Sequence, residues 1–218
     1  MNEETKKYRL TEKYIQYKGR ILYRIQAIKN FSDVNCGEYG GFVESEENLN
    51  QYDNSWVYDE AKVYGDARVE HAANVKESAV VFENAIIFQY AVVKGNAKVY
   101  GNAWIRESAH ISGQARIYDE VRVAGTVKGN SIISGDVTIY GNAYIRSKGT
   151  VRTSSDYVIV ENINLDNQIL TIYKARNNEI YVTNQEGYEQ SLEAFMTNEK
   201  DCGEVIYGVL LINGFNLK

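Results

Sequence analysis

Few residues in this 218-residue chain are of a type that could do chemistry. It has two histidines, His71 and His110, and two cysteines, Cys36 and Cys202. A three-histidine zinc centre is excluded by the count alone, since catalytic zinc keeps three protein ligands. The cysteines form neither a disulfide framework nor a metal-ligand cluster. His110, with Glu107 and Ser108 beside it in sequence, is the one candidate general base. Acid–base catalysis needs such a group within hydrogen-bond reach of the proton it moves. A single exposed histidine is far more often a surface residue, so no catalytic residue is assigned. No glycine-rich loop leads into a helix to cradle phosphate. The paired carboxylates Glu46 and Glu47 have no pocket that the sequence defines around them. No cofactor and no metal are expected.

His71, Glu107, Ser108 and His110 sit on a repeat. Val57, Val63, Val69, Val75, Val81, Ile87, Val93, Val99, Ile105, Ile111, Ile117 and Val123 recur every six positions. Two positions before most of them stands alanine, from Ala61 to Ala115. The unit is clearest at Ala97-Lys98-Val99-Tyr100-Gly101-Asn102. In an extended strand the alanine and the aliphatic residue share one face. Gly-Asn, Gly-Asp or Glu-Asn then supplies a corner that tolerates positive φ. Every strand must bury the same face, which a hairpin meander cannot arrange. A coil of three strands per turn can. It stacks its turns at about 4.8 Å, and about five turns give a rod on the order of 24 Å long. His71 then falls in a corner and His110 on a face, in different columns. The beat breaks once, at Ala124-Gly125, where a bulge, bend or tightened corner is expected.

Three faces follow. One carries Lys62/Tyr64, Val80/Phe82, Lys98/Tyr100 and Arg116/Tyr118, so Tyr64, Phe82, Tyr100 and Tyr118 should stack as an aromatic ladder. This is a candidate protein-binding feature, because aromatic residues are enriched at interfaces. Cross-strand stacking that only stiffens the sheet is the plainer alternative. The second face carries Arg68, Ile86, Phe88, Trp104 and Arg122. The third carries Trp56, Asn74, Val92 and His110. Val80, Phe82, Ile86, Phe88 and Val92 make an outward apolar ring at one level. Such a ring is unusual on a monomer. It implies cover by a terminal segment or by a second subunit, and marks these five as a candidate oligomer interface.

Both ends of such a rod need caps. The sequence divides into 1–54, a β-hairpin and cap; 55–152, the coil; and 153–218, a small α+β unit. Lys18-Gly19 between two apolar-aromatic runs is a hairpin signal. Tyr157–Val160, Ile169–Tyr173 and Glu179–Val182 read as strands, with Asn177-Asn178 as a turn. Ser191 is placed to cap a helix carrying Leu192, Phe195 and Met196. Val205–Ile212 is an apolar element whose type the pattern leaves open.

Charge is unevenly placed. Met1–Lys29 holds eight basic and three acidic residues, whereas Ser32–Glu60 holds eight acidic residues and no basic one. Glu44, Glu46 and Glu47 lie in that block and are candidates for contact with a basic partner, a solvated cap being the plainer reading. The rod interleaves its basic residues with acids and apolar groups, so direct nucleic-acid binding is not expected. No run of 18 apolar residues is present, and Met1–Lys7 lacks a signal-peptide core. The expectation is a cytoplasmic protein with no membrane partner.

The spacing of Val63 to Ala67 and of Val99 to Ala103 resembles the hexapeptide-repeat superfamily of left-handed β-helices, which implies left-handed coiling. Many of its members are acyltransferases and some are zinc carbonic anhydrases. The long inserted loop that closes an acyltransferase site has no counterpart here. The lead-in Leu22–Phe31 and Gly40–Leu49, with the repeats that follow, resembles bacteriophage and prophage hexapeptide-repeat proteins, a family that brings a phage setting and no firm activity. Three readings result. The first is a non-enzymatic, homo-oligomeric binder in the host cytoplasm. It would mask a host protein or nucleoprotein complex, such as an immune complex in the manner of an anti-CRISPR protein. The second is an acyltransferase-like enzyme, and the third is a structural component of a virion.

Overall fold

The structure, a computed structural model, describes residues 6–161 and 168–215; Met1–Thr5 of the N-terminal stretch read above lie outside it. It is a mainly β protein built on a parallel β-helix of about six turns. Seventeen two-residue strands run from Trp56–Val57 to Thr150–Val151. Strands one turn apart pair in parallel, as Lys98↔Val80 and Lys98↔Arg116. The alternation explains the interior. Ala61, Ala67, Ala97 and Ala103 and the hexad residues Val63, Val99, Ile105 and Ile111 are fully buried. Their outward neighbours form three stacked columns, one per sheet.

The break in the beat is a shortened turn. Arg122–Val123 and Thr126–Val127 are separated only by Ala124 and Gly125. Pairing therefore steps by 16 residues at His110↔Thr126 and Arg116↔Ile132, and returns to 18 at Thr126↔Tyr144. A side chain could not stand at Gly125: a Cβ there would lie 2.5 Å from Tyr140 O and 2.8 Å from Ala143 O.

The N-terminal cap is a hairpin of β1 (Tyr8–Tyr17) and β2 (Arg20–Ala27), turning at Lys18-Gly19. Strand β3 (Tyr39–Val43) pairs antiparallel with β2 and parallel with Lys62–Val63. It thereby occupies the hydrogen-bonding edge that the coil would leave open. Tyr8, Ile25 and Ala27 close the end of the coil's core.

At the other end, Tyr157–Glu161, Ile169–Lys174, Ile180–Asn184 and Glu189–Ser191 form a four-stranded antiparallel sheet. The last strand escapes a pattern search because Glu189-Gln190-Ser191 has no apolar alternation. One side of the sheet packs Leu170, Ile172 and Val182 against helices α1 (Leu192–Asn198) and α2 (Lys200–Ile212) through Phe195, Ile206 and Leu210. The Ser191 hydroxyl accepts the Ala194 N–H at 3.2 Å, as its capping role predicts. The apolar run of open type is α2. Tyr157 and Tyr173 belong to the rod's own core, and Gly149 bridges to Ala175. No described helix is long and apolar enough to cross a membrane.

Candidate functional site

The aromatic ladder forms as the spacing predicts. Ring centroids of Tyr64 and Phe82 lie 5.2 Å apart, those of Phe82 and Tyr100 4.8 Å, and those of Tyr100 and Tyr118 4.9 Å. The planes diverge by only 9–11°. Parallel pairing one turn apart imposes this near-parallel stack. The ladder ends where the next position in the column is Ser134.

One end of the ladder is covered by the chain itself. The hairpin tip lies over it: Tyr17 packs edge-on to Tyr64 at 5.9 Å, and Lys18 Nζ stands 5.2 Å from the Phe82 ring. Leu22, Phe42, Tyr64 and Val80 form a buried cluster, with Ile15, Tyr17 and Phe82 packed against it. Tyr64 is 5% and Val80 6% exposed. Burial first, then the nearby Tyr17, pushes the Tyr64 phenol up to about 12. The outward apolar ring is thus closed over Val80 by an intramolecular element, and Val80 and Tyr64 are not available to a partner. Ile86, Phe88 and Val92 stay half-buried on the other two faces, where Phe88 meets Trp104 edge-on at 6.0 Å. What the fold leaves open of the ladder is Tyr100 and Tyr118, with Lys98 and Arg116 in the column beside them.

The acidic block finds its counter-charges in the basic N-terminal segment. Glu44 pairs with Arg20 at 2.8 Å, Glu46 with Lys6 at 2.8 Å, Asp53 with Lys7 at 3.0 Å and Glu60 with Arg24 at 2.7 Å. Opposite charges in adjacent stretches of sequence become one cap by folding against each other. Glu44 also accepts the Gly65 N–H at 2.8 Å. Burial works to raise its carboxyl, but the Gly65 N–H and Arg20 outweigh it and hold it below the usual range. Glu44 is thus tied into the cap, Glu46 keeps a side chain 41% exposed in its ion pair with Lys6, and Glu47 is exposed and makes no ion pair with a described residue. Glu44→Gln is expected to lower stability by about 1–3 kcal/mol at neutral pH. The lowered folded-state carboxyl contributes stability above the unfolded value, and that contribution is lost as pH falls. Glu47→Lys should stay within about 0.5 kcal/mol. Urea denaturation at pH 7 and pH 4 separates them; equal effects would contradict the assignment.

Two residues that the pattern did not single out anchor this cap. Lys7 is 1% exposed, and its ammonium donates to Asp53 O, Asp53 Oδ1, Ser55 O and Ser55 Oγ at 2.7–3.2 Å. Burial pushes it down to about 8 against the pull of Asp53. Trp56, expected to face outward, is fully buried because Tyr8 and Phe31 cover it edge-on at 5.9 and 5.3 Å. No signal in the hexad could have found this, since the covering residues lie outside the repeat.

The chemistry-bearing residues do not come together. His71 is a corner residue with φ 65° and His110 stands on a strand. Burial, then Lys128 and Lys94, push the His110 imidazolium down. A cleft of about 1030 Å³ lies in the C-terminal unit, lined by Lys174, Glu179, Tyr181, Leu192, Met196 and Tyr207, with neither histidine in its wall. Among the described residues no group of three or more His, Cys, Asp or Glu could hold a metal.

The class these features define is a capped parallel β-helix with a pre-stacked aromatic face. Compared with protein-family models and with curated proteins, the sequence matches none.

Proposed function

We propose that the chain is a non-catalytic binding module that docks a protein or nucleoprotein complex against the open half of the aromatic ladder. The single observation that supports this reading is the near-parallel stack of Tyr100 and Tyr118, half-exposed and flanked by Lys98 and Arg116. Rings already stacked lose little conformational freedom when a partner covers them, and pre-organisation of this kind raises affinity. Aromatic and arginine side chains are also the residue types that dominate binding energy at protein interfaces. The resemblance of the lead-in to phage hexapeptide-repeat proteins favours a host macromolecule as the target, including an immune complex that the module would mask in the cytoplasm.

Tyr100→Ala/Tyr118→Ala removes the exposed rungs and leaves the buried columns intact. The double variant should lose at least about tenfold in affinity for the partner recovered by the unaltered protein, the effect of about 1.4 kcal/mol. Tagged protein and variant would be compared for capture from host lysate, then by titration with the purified partner. Undiminished binding by a folded double variant would sink the ladder as the docking face.

A further inference from the structure

The corners of the coil share a hydrogen-bonding pattern. Their first residue adopts positive φ, and at six corners its N–H donates to a side chain of an earlier turn or of the cap. Gly65 donates to Glu44 Oε2 at 2.8 Å, Glu77 to Asp59 Oδ2 at 2.9 Å and Gly101 to Glu83 Oε2 at 2.9 Å. Glu107 donates to Gln89 Oε1 at 2.6 Å, Gly135 to Asp119 Oδ2 at 2.9 Å, and His71 to Asp53 Oδ2. Five of these six acceptors are carboxylates. The fold itself shows what chemistry fits a corner N–H.

One edge breaks the rule. It runs between the His110 face and the ladder face, and its corners after Glu77 are Gly95-Asn96, Gly113-Gln114 and Gly129-Asn130. Gly95, Gly113 and Gly129 follow one another turn by turn, and none of their N–H groups meets an acceptor among the described residues. On the other two edges a filled corner stands next to each such vacancy: Glu83 lies between Gly65 and Gly101, and Gln89 between His71 and Glu107. A glycine has no side chain to reach the next turn, so neither Gly95 nor Gly113 supplies an acceptor to the N–H that follows it in the column.

The charges around this edge match that vacancy. Lys94, Lys98, Arg116 and Lys128 flank it, and none pairs with a described carboxylate. From Lys94 to Arg152 the carboxylates are Glu107, Asp119, Glu120 and Asp136, and all four sit at the other two edges; on this edge Glu77 stands one turn before Gly95. The C-terminal unit brings a carboxylate to the next corner of this column, though to a side chain rather than an N–H: Glu189 accepts the hydroxyl of Ser147, the corner residue that follows Gly129.

We propose that this edge binds a carboxylate-rich segment of a partner protein, side-chain oxygens seating on the N–H groups of Gly113 and Gly129 between the four cations. The spacing of successive seats is one turn, about 4.8 Å. The inference rests on the reading of the rod as a binding surface and adds the chemistry of what it binds. Carboxylate is favoured over phosphate because carboxylates occupy the equivalent corners.

The test is a titration of the ¹⁵N-labelled full chain with poly-L-glutamate of about 20 residues, with polyglutamine and an oligothymidine strand as comparators. Saturable movement of the Gly113 and Gly129 amide signals by polyglutamate alone is expected, weakening with salt. Lys94→Gln/Lys128→Gln, which also gives up the 2.8 Å bond of Lys128 to the Tyr144 hydroxyl, should weaken binding at least tenfold with an unchanged circular dichroism spectrum. No movement at saturating polyglutamate overturns the proposal, as does an equal response to polyglutamine. Tighter binding of the oligothymidine overturns it in favour of nucleic acid. No host partner enters this titration, so its failure leaves ladder docking standing. Loss of ladder docking with an intact titration leaves the edge standing.

Discussion

Trp56→Ala should destabilise the protein by about 3–5 kcal/mol, the cost of emptying a fully buried tryptophan site. Trp56 belongs to the first strand of the coil, yet Tyr8 and Phe31 cover its outer side. It joins the cap to the rod, so its loss opens a void between them that neither can collapse to fill. Trp56→Phe should cost distinctly less. The indole Nε1–H is buried with no acceptor, and removing an unpaired buried donor recovers about 1–3 kcal/mol of desolvation. Urea denaturation of the three proteins, followed at a wavelength free of tryptophan, measures both differences. A cost below about 1 kcal/mol for the alanine variant would mean that the cap does not depend on this contact.

Alkaline pH should unfold the protein cooperatively, and tyrosines at the two ends of the rod are the cause. Tyr8 donates to Leu49 O at 2.8 Å at one end, and Tyr173 donates to Arg146 O at 2.9 Å at the other. Both side chains are fully buried. Burial raises both phenols far above their ordinary value; Glu46 and Asp53 add to this at Tyr8, and Glu189 at Tyr173. An acid raised in the folded state contributes stability that is complete below its unfolded value of about 10 and is lost as pH rises beyond it. Each tyrosine should cost about 1.4 kcal/mol per pH unit above 10. Lys7 acts in the opposite sense. Its folded value is lowered to about 8, so the unfolded chain binds the extra proton between there and the ordinary lysine value of about 10.4, and stability climbs with pH in that window. Stability should therefore rise from about pH 8 toward 10 and then fall steeply. Tyr8→Phe/Tyr173→Phe should flatten the fall while lowering stability at pH 7 by about 1–3 kcal/mol, from the hydrogen bonds lost. Denaturant midpoints between pH 7 and 12, with phenolate absorbance recorded alongside, give both quantities. An unaltered alkaline limb in the double variant would place the sensitivity elsewhere.

The interior of the rod was legible because the hexad states it outright. A residue such as Val99 or Ala97 is buried by strand alternation alone, and the shortened turn at Ala124-Gly125 could be read from the missing corner pair. The ladder followed for the same reason, since a column is one residue repeated at the pairing interval. The caps were less legible. Arg20, Arg24 and Glu44 announce charge but not that they meet, because a pairing across 20–40 residues leaves no period. The cover over Val80 and Tyr64 depends on where the hairpin tip comes to rest, and Tyr17 and Leu22 carry no mark of that place. The run Val205–Ile212 is apolar nearly all round, so neither a two-residue nor a 3.6-residue period stands out, and its helix emerges only by packing Ile206 and Leu210 on the sheet.

The separation of inward from outward columns gives the sequence two alphabets. Half of each strand is spelled in alanine and branched aliphatics, and a change there is felt by the whole rod. The other half is written on a scaffold that holds its place whatever letter it carries, one rung at a time and at a fixed interval. A lineage could rewrite those rungs, altering what is gripped and how firmly, while the inward text that keeps the rod upright stays the same.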